Sequence, residues 1–166
     1  MAGRLAQATV TARWIGLQGR AILSTKSHHF VVDSPLALGG PNEEVTPLDL
    51  ILASVAANAA FVGERVMQEE AIPFERFAVY VTGTFDPRGM RGEPVDPRLR
   101  AIHVQFVLAG PTAEQAARVI DAYRARCAIY NTLSCALPIE IELDLASSAD
   151  APPATNGRGA ALARNR

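Results

Sequence analysis

Hydrophobic and polar residues alternate in several short segments of the chain, which is the pattern of strands with one buried face. Near the start, Val10, Ala12 and Trp14 alternate with polar or charged neighbours. Near the end, Ile139 and Ile141 alternate with acidic residues. The segments predicted as strands are residues 8–16, 20–25, 28–33, 77–85, 101–108 and 139–144.

A long helix is predicted from Thr46 to about Glu70. Thr46 is a favourable N-cap, Pro47 suits the first helical position, and Asp49 stands where a capping box places its acid. The first half of this helix is apolar on nearly all sides, so it requires burial on most sides. The apolar run over residues 48–63 is interrupted by polar residues, and it is too short and too polar to span a bilayer comfortably.

A second helix opens with a capping box formed by Thr112 and Gln115. It carries one apolar stripe at helical spacing, formed by Ala116, Val119, Ile120, Tyr123 and Cys127. The predicted order is therefore β-β-β-α-β-β-α-β, an α+β fold, with a loop rich in proline, glycine and charge over residues 86–100. We predict one domain over residues 1–145 and a tail over residues 146–166 that is disordered by composition.

Composition excludes several classes of partner and site. A net charge of −1 gives no strong attraction to nucleic acid or to an anionic membrane. Two cysteines do not make a disulfide scaffold, and no apolar signal segment is visible in residues 1–11, so a cytoplasmic, reducing compartment is expected. His28 and His29 are adjacent on a strand and point to opposite faces, so neither a metal nor another cofactor is predicted.

Four segments together resemble the OsmC/Ohr family of thiol peroxidases. They are Ala-Arg-Trp-Ile-Gly at 12–16, Gly-Gly-Pro-Asn at 39–42 with Thr-Pro-Leu-Asp-Leu-Ile-Leu-Ala at 46–53, the β-hairpin with its charged loop, and Arg-Cys-Ala-Ile-Tyr-Asn-Thr-Leu at 126–133 leading into Pro-Ile-Glu-Ile at 138–141. The resemblance covers roughly residues 8–145. It implies a bacterial-type, intertwined homodimer in which antiparallel sheets wrap around two central helices and each active site lies at the subunit interface.

The family's chemistry needs four groups. A peroxidatic cysteine late in the apolar half of the first helix attacks the peroxide as a thiolate. An arginine from the first hairpin lowers the pKa of that cysteine and orients the organic hydroperoxide, and a glutamate at the start of the helix holds the arginine. A resolving cysteine at the end of the second helix then forms a disulfide with the first, which a dithiol reductant opens.

This sequence matches one of those four positions. Cys127 stands at the resolving position, whereas Asn58 stands at the peroxidatic position. Leu48 occupies the glutamate position, beside Asp49. Asp49 is most simply an acid that satisfies the backbone at the helix start.

The arginine position falls near Leu17 or Gln18, and Arg13 and Arg20 lie close to it in sequence. An amide cannot replace a thiolate as the nucleophile toward a peroxide. Three departures at one site therefore predict that the family's two-cysteine cycle does not run in this protein.

The remaining polar residues have alternative roles. Asn58 either presents its amide to a ligand or forms a buried hydrogen bond to Ser54 or to the backbone. Cys127 is either a resolving-type thiol or a small buried hydrophobe on the apolar stripe. Cys127 and Cys135 could form a relocated dithiol if their Cα atoms lie within about 7 Å of each other.

Three functions remain open. One is an OsmC/Ohr-like protein of oxidative stress defence with weak or no peroxidase activity, or one that uses Cys127 and Cys135. Another is a non-catalytic dimer that binds a small hydrophobic ligand in the interfacial pocket. The third is a degenerate copy with a scaffold role. The residues predicted to form that pocket are Leu48, Asp49, Ser54 and Asn58.

Overall fold

The computed structural model describes residues 5–146. Residues 1–4 of the predicted domain lie outside the described range. So does the predicted tail, except for its first residue, Ala146. In chain order the elements are β1 (Val10–Trp14), β2 (Arg20–Thr25), β3 (His28–Asp33), a 3-10 turn (Leu36–Leu38), α1 (Pro47–Glu69), β4 (Arg76–Phe85), α2 (Pro87–Met90), β5 (Leu99–Ala109), α3 (Ala113–Arg126), α4 (Ala128–Leu133) and β6 (Ile139–Leu145). The predicted order is confirmed, and the short helices α2 and α4 add to it.

The strands form two three-stranded sheets. In the first sheet, β2 lies between β1 and β3, and both pairs are antiparallel. In the second sheet, β5 lies between β4 and β6, and β6 runs parallel to β5. The prediction of antiparallel sheets is therefore wrong for β6. A parallel neighbour requires a crossover connection, and α3 with α4 supplies it.

The start of α1 is fixed by the predicted capping box. The Asp49 backbone N–H donates to Thr46 Oγ1 at 3.3 Å, and the Thr46 backbone N–H donates to Asp49 Oδ2 at 2.8 Å. The Thr46 hydroxyl also donates to Asp49 Oδ2, at 2.7 Å. Asp49 is thus occupied by the helix terminus, as the sequence predicts.

The core lies between α1, α3 and the inner face of the second sheet. The stripe predicted on α3 is its buried face. Its second half packs with Val55 and Ala59 of α1 and with alternate residues of β5, and its first half, Ala116 and Val119, belongs to a second cluster with Val66 and Met67 of α1. The buried residues of the first cluster are Val55, Ala59, Ile102, Val104, Phe106, Ile120, Tyr123 and Cys127.

The opposite side of α1 is left uncovered by residues 5–146. Ile51 is 40% exposed and Phe61 is 68% exposed. By length and composition alone, the 23-residue helix is long and apolar enough to cross a membrane, although a core helix of a soluble protein passes the same test. One face of α1 already packs into the core. The sequence predicts that a second subunit packs against the other face, and this stays a prediction.

A close backbone crossing attaches the β1–β2 turn to the loop that precedes α1. The Ser34 N–H donates to the Gly19 carbonyl at 2.6 Å. A Cβ atom on Gly40 would lie 2.0 Å from the Ser34 carbonyl oxygen, so only glycine fits at this crossing. The crossing holds the first sheet against the start of α1.

Candidate functional site

Asn58 of α1 and Cys127, between α3 and α4, are in direct contact. The Cys127 thiol donates to Asn58 Oδ1 at 3.3 Å, and the Tyr130 N–H donates to Cys127 Sγ at 3.3 Å. The Cys127 residue is fully buried. The two positions that the resemblance pairs as peroxidatic and resolving are therefore neighbours in space, with an amide in place of one sulfur.

Within residues 5–146, Asn58 and Ser54 form no described hydrogen bond with each other. The Ser54 hydroxyl donates to the Ile51 carbonyl at 2.7 Å, within the helix's own backbone, and Ser54 is exposed. A serine hydroxyl in a helix readily donates to a carbonyl one turn earlier.

Aromatic side chains surround the thiol. The Tyr123 ring lies 5.2 Å from the Phe106 ring and 5.3 Å from the Tyr130 ring, measured between centroids. Burial raises the pKa of Tyr123 well above its ordinary value, and the neighbouring Cys127 adds to that effect. Within residues 5–146 the buried Tyr123 hydroxyl has no hydrogen-bond partner.

The polar contacts of Cys127 lack the cation that activates reactive cysteines. Its thiol contacts the Asn58 amide oxygen and the Tyr130 backbone N–H, and the Asn131 side-chain amide donates to its carbonyl; none of these described bonds comes from an arginine, lysine or histidine side chain. Reactive cysteines lie in electropositive, partly exposed surroundings. Cys127 is buried and has no cation among its described hydrogen-bond partners.

Cys135 is separated from Cys127 by α4. Both cysteines are free, and Cys135 is exposed and directs its thiol to the Asn131 carbonyl at 3.3 Å. The six residues of α4 lie between the two cysteines and span roughly 9 Å at a rise of about 1.5 Å per residue. A disulfide needs about 7 Å or less. The helix between them therefore disfavours a Cys127–Cys135 bond.

A cleft with a volume of about 810 Å³ lies between the first sheet, the start of α1 and the β4–β5 connection. This size falls within the roughly 300–1,000 Å³ of small-molecule sites. Leu48 and Asp49 line the cleft, whereas Asn58 and Ser54 do not. Its apolar lining includes Ala12, Trp14, Ala21, Leu23, Val32, Leu38, Leu48, Leu52, Phe85 and Met90.

Arg20 stands in the wall of the cleft, at the start of β2, and binds two carboxylates. Its Nε and Nη2 donate to the two oxygens of Asp33 at 2.7 and 2.8 Å, and Nη2 also donates to Glu43 at 2.7 Å. Asp33 further accepts the backbone N–H groups of Glu43 and Glu44 at 2.9 and 3.0 Å. The guanidinium holds the pKa of the buried Asp33 far below its usual range, and the carboxylates raise the pKa of Arg20.

The Arg20–Asp33 pair was not among the predicted site residues, although the sequence contains a signal for it. A two-residue turn at Lys26 and Ser27 joins β2 to β3 and sets the register in which Arg20 faces Asp33. Arg13, the other basic residue near the expected arginine position, lies exposed on β1 opposite Ile22.

Comparison with known proteins agrees with this architecture. The sequence profile of the family described as "OsmC-like protein" matches residues 40–142. No curated protein matches the chain. The matched segment contains α1, strands β4 and β5, and the connection between α3 and α4. It therefore includes Asn58 and Cys127.

Solved structures share the fold at low sequence identity. An OsmC-like protein from Mycoplasma pneumoniae has a TM-score of 0.69 and 18% identity, with 86% of this chain and 97% of that chain covered. An organic hydroperoxide resistance protein from Legionella pneumophila has a TM-score of 0.68 and 14% identity, with 86% and 100% covered. One from Elizabethkingia anophelis has a TM-score of 0.69 and 17% identity, with 86% and 99% covered. With a family profile matching most of its length, the chain belongs to the OsmC-like protein family.

Proposed function

We propose that this OsmC-like protein does not run a two-cysteine peroxidase cycle and instead binds a small hydrophobic molecule in its cleft. The observation that carries the proposal is the 3.3 Å hydrogen bond from Cys127 to Asn58. An amide at this place can neither attack a peroxide nor form a disulfide with Cys127. The contact that would carry the redox chemistry is therefore a structural one.

The cleft supports the binding half of the proposal. Its volume of about 810 Å³ is large enough for a drug-sized ligand, and its lining is predominantly aliphatic and aromatic. Asp49 lines it, but the α1 capping box occupies its carboxylate. An apolar ligand that displaces water from this surface gains roughly 25 cal/mol for each Å² buried.

The names of structural neighbours suggest a chemical class for the ligand. Two of them are organic hydroperoxide resistance proteins. A peroxide-like or lipid-like molecule is thus a reasonable ligand to test. The second candidate function, a peroxidase that uses Cys127 with Cys135, is disfavoured because Cys127 is buried and α4 separates the two sulfur atoms.

The proposal includes a homodimer in a cytoplasmic compartment. Two apolar surfaces support the dimer: the outer side of α1, with Phe61 68% exposed, and β1, with Trp14 69% exposed. Exposed apolar surface of this kind marks interaction sites. A reducing compartment would keep both cysteines as free thiols.

The first experiment tests the loss of peroxidase activity. Purified protein is incubated with an organic hydroperoxide and a dithiol reductant, and peroxide consumption and the thiol state are followed, the latter by mass spectrometry. We expect consumption at the rate of the protein-free control and no Cys127–Cys135 disulfide. Rapid turnover accompanied by that disulfide would refute the proposal.

The second experiment tests binding in the cleft. Trp14 is the one tryptophan of the chain and lines the cleft, so its fluorescence reports on bound decanol. We expect the titration to saturate with wild-type protein and to disappear in Leu48→Lys, because the new charge enters the lining. Val45→Lys, which places the same charge on an exposed residue outside the lining, is the matched control. Equal binding by both variants would exclude the cleft.

A further inference from the structure

Arg20 is the one basic side chain among the residues that line the cleft. Its Nε and Nη2 are occupied by carboxylates, whereas Nη1 makes no hydrogen bond within residues 5–146. Among the described residues, the buried side-chain atoms without a partner are Arg76 Nε and Tyr123 Oη, so Nη1 is not one of them, and the Arg20 side chain is 18% exposed. The apolar cleft thus contains one cation with a donor available to a ligand.

The two carboxylates at Arg20 differ in how firmly they are held. The Asp33 side chain is fully buried and accepts four hydrogen bonds, two from Arg20 and two from backbone N–H groups. The Glu43 side chain is 70% exposed and has one described contact, to Arg20 Nη2. Exposed ion pairs of this kind are weak. A ligand can therefore displace Glu43 while Asp33 keeps the guanidinium in position.

We propose that the cleft binds an alkyl monocarboxylate, whose carboxylate takes the place of Glu43 at Arg20 and whose alkyl chain lies along the apolar lining. This inference rests on the proposed function and names the ligand class for the same cleft. Carboxylate and guanidinium form charge-assisted, frequently bidentate hydrogen bonds, and the open Nη1 beside Nη2 offers two donors side by side.

The charge around Arg20 selects between anions. Arg20 contributes one positive charge, and Asp33 and Glu43 each contribute one negative charge. Replacing Glu43 with a monocarboxylate leaves that sum unchanged. A phosphate monoester brings close to two negative charges and meets added repulsion from the buried Asp33. The site is therefore suited to a carboxylate and poorly suited to a phosphate.

Three probes with the same alkyl chain measure the contribution of the head group. Decanoate, decanol and decyl phosphate are titrated into the full-length protein, with Trp14 fluorescence and calorimetry as readouts. We expect decanoate to bind about tenfold more tightly than decanol, a ratio equivalent to about 1.4 kcal/mol. Decyl phosphate should bind more weakly than decanoate.

A pair of variants tests the exchange at Arg20 without disturbing the fold. Glu43→Gln removes the competing carboxylate, so we expect decanoate affinity to rise several-fold and decanol affinity to stay constant. Glu44→Gln removes the same charge from the adjacent exposed residue, whose side chain has no described contact with Arg20. It should leave both affinities unchanged.

The outcomes separate this inference from the proposed function. If decanol and decanoate bind equally, or if both glutamate variants change decanoate affinity to the same extent, recognition by Arg20 is refuted while binding in the cleft stands. If none of the three probes binds, the proposed function itself fails. Tighter binding of decanoate by Glu43→Gln alone establishes the exchange.

Discussion

Asn58 and Cys127 meet between α1 and the α3–α4 junction with Oδ1 and Sγ 3.3 Å apart. Two side chains from helices far apart in sequence are thus held within reach of each other. The geometry suits a bond between sulfur atoms, while the residue at position 58 supplies an amide. At the scale of single residues, position 58 therefore decides the chemistry of this contact.

Asn58→Cys should restore a sulfur pair. We expect the introduced thiol to form a disulfide with Cys127 on mild oxidation, because the side chains already touch. Peptide mapping by mass spectrometry should show the cross-link between α1 and the α3–α4 segment, with both thiols lost from titration. Peroxide turnover should stay slow, since Leu48 does not replace the family's glutamate and neither Leu17 nor Gln18 replaces its arginine.

Asn58→Ser is the control, because it alters the same residue without adding sulfur. It should leave Cys127 reduced under identical conditions. An Asn58→Cys protein that keeps both thiols free would show that the two positions are farther apart in solution than in the structure.

Tyr123→Phe should not destabilise the protein. The Tyr123 hydroxyl is buried without a described partner, and an unsatisfied buried polar group costs roughly 1–3 kcal/mol. We expect the free energy of unfolding in urea to stay constant or to rise by about 1 kcal/mol. Tyr123→Leu, which also removes aromatic packing against Phe106, should lose stability. A loss in Tyr123→Phe comparable to that in Tyr123→Leu would mean that the hydroxyl is hydrogen-bonded in solution.

At the scale of elements, local signals were sufficient for most boundaries. The capping boxes at Thr46 and Thr112 placed the starts of α1 and α3, because a cap is formed by residues close together in sequence. The parallel direction of β6 was not predicted, since it depends on where a crossover returns the chain. The contact of Asn58 with Cys127 likewise depends on tertiary packing. The resemblance to the family assigns the two residues to a pair of positions, and the structure shows the contact between them.

The Arg20–Asp33 pair joins β2 to β3 and to the loop before α1, and it should make stability depend on acid pH. The pKa of Asp33 is lowered in the folded protein, whereas the pKa of an aspartate in an unfolded chain is about 3.9. The folded state then binds fewer protons, so the stabilisation is complete above about pH 4 and is lost as pH falls toward the folded pKa.

Asp33→Asn should remove this dependence. We expect it to be markedly less stable than wild type at pH 7, with the difference narrowing as pH falls below about 4. Urea unfolding at a series of pH values measures how the free energy of unfolding changes with pH in wild type and in Asp33→Asn. Glu44→Gln should keep the wild-type slope, because its change is confined to an exposed side chain. A constant difference between wild type and Asp33→Asn would contradict the role given to this pair.

At the scale of the whole molecule, the described part of the chain leaves apolar surface on both α1 and the first sheet. Ile51 and Phe61 on α1, with Val10 and Trp14 on β1, are between 40% and 69% exposed. The core of the second sheet is complete by comparison, since Val104 and Phe106 are fully buried. This unequal distribution supports assembly with a second copy.

Phe61→Glu should weaken the proposed homodimer. We expect light scattering to give a dimeric mass for wild type and a shift toward monomer for the variant, because a charge would be buried at an apolar interface. Circular dichroism should show unchanged helix content. Gln68→Glu, at an exposed polar position of the same helix, should keep the wild-type mass. A monomeric wild-type protein would end the dimer proposal.

The hydrogen bond between Cys127 and Asn58 has one further consequence. A disulfide at this junction would divide the protein into linked and unlinked molecules, in proportions set by the supply of oxidant and reductant. A thiol–amide hydrogen bond transfers no electrons, so α1 stays joined to α3 and α4 in the same way at any cellular redox potential. If the cleft binds the proposed ligand, its occupancy would depend on the ligand concentration and not on the supply of oxidant, as in a receptor.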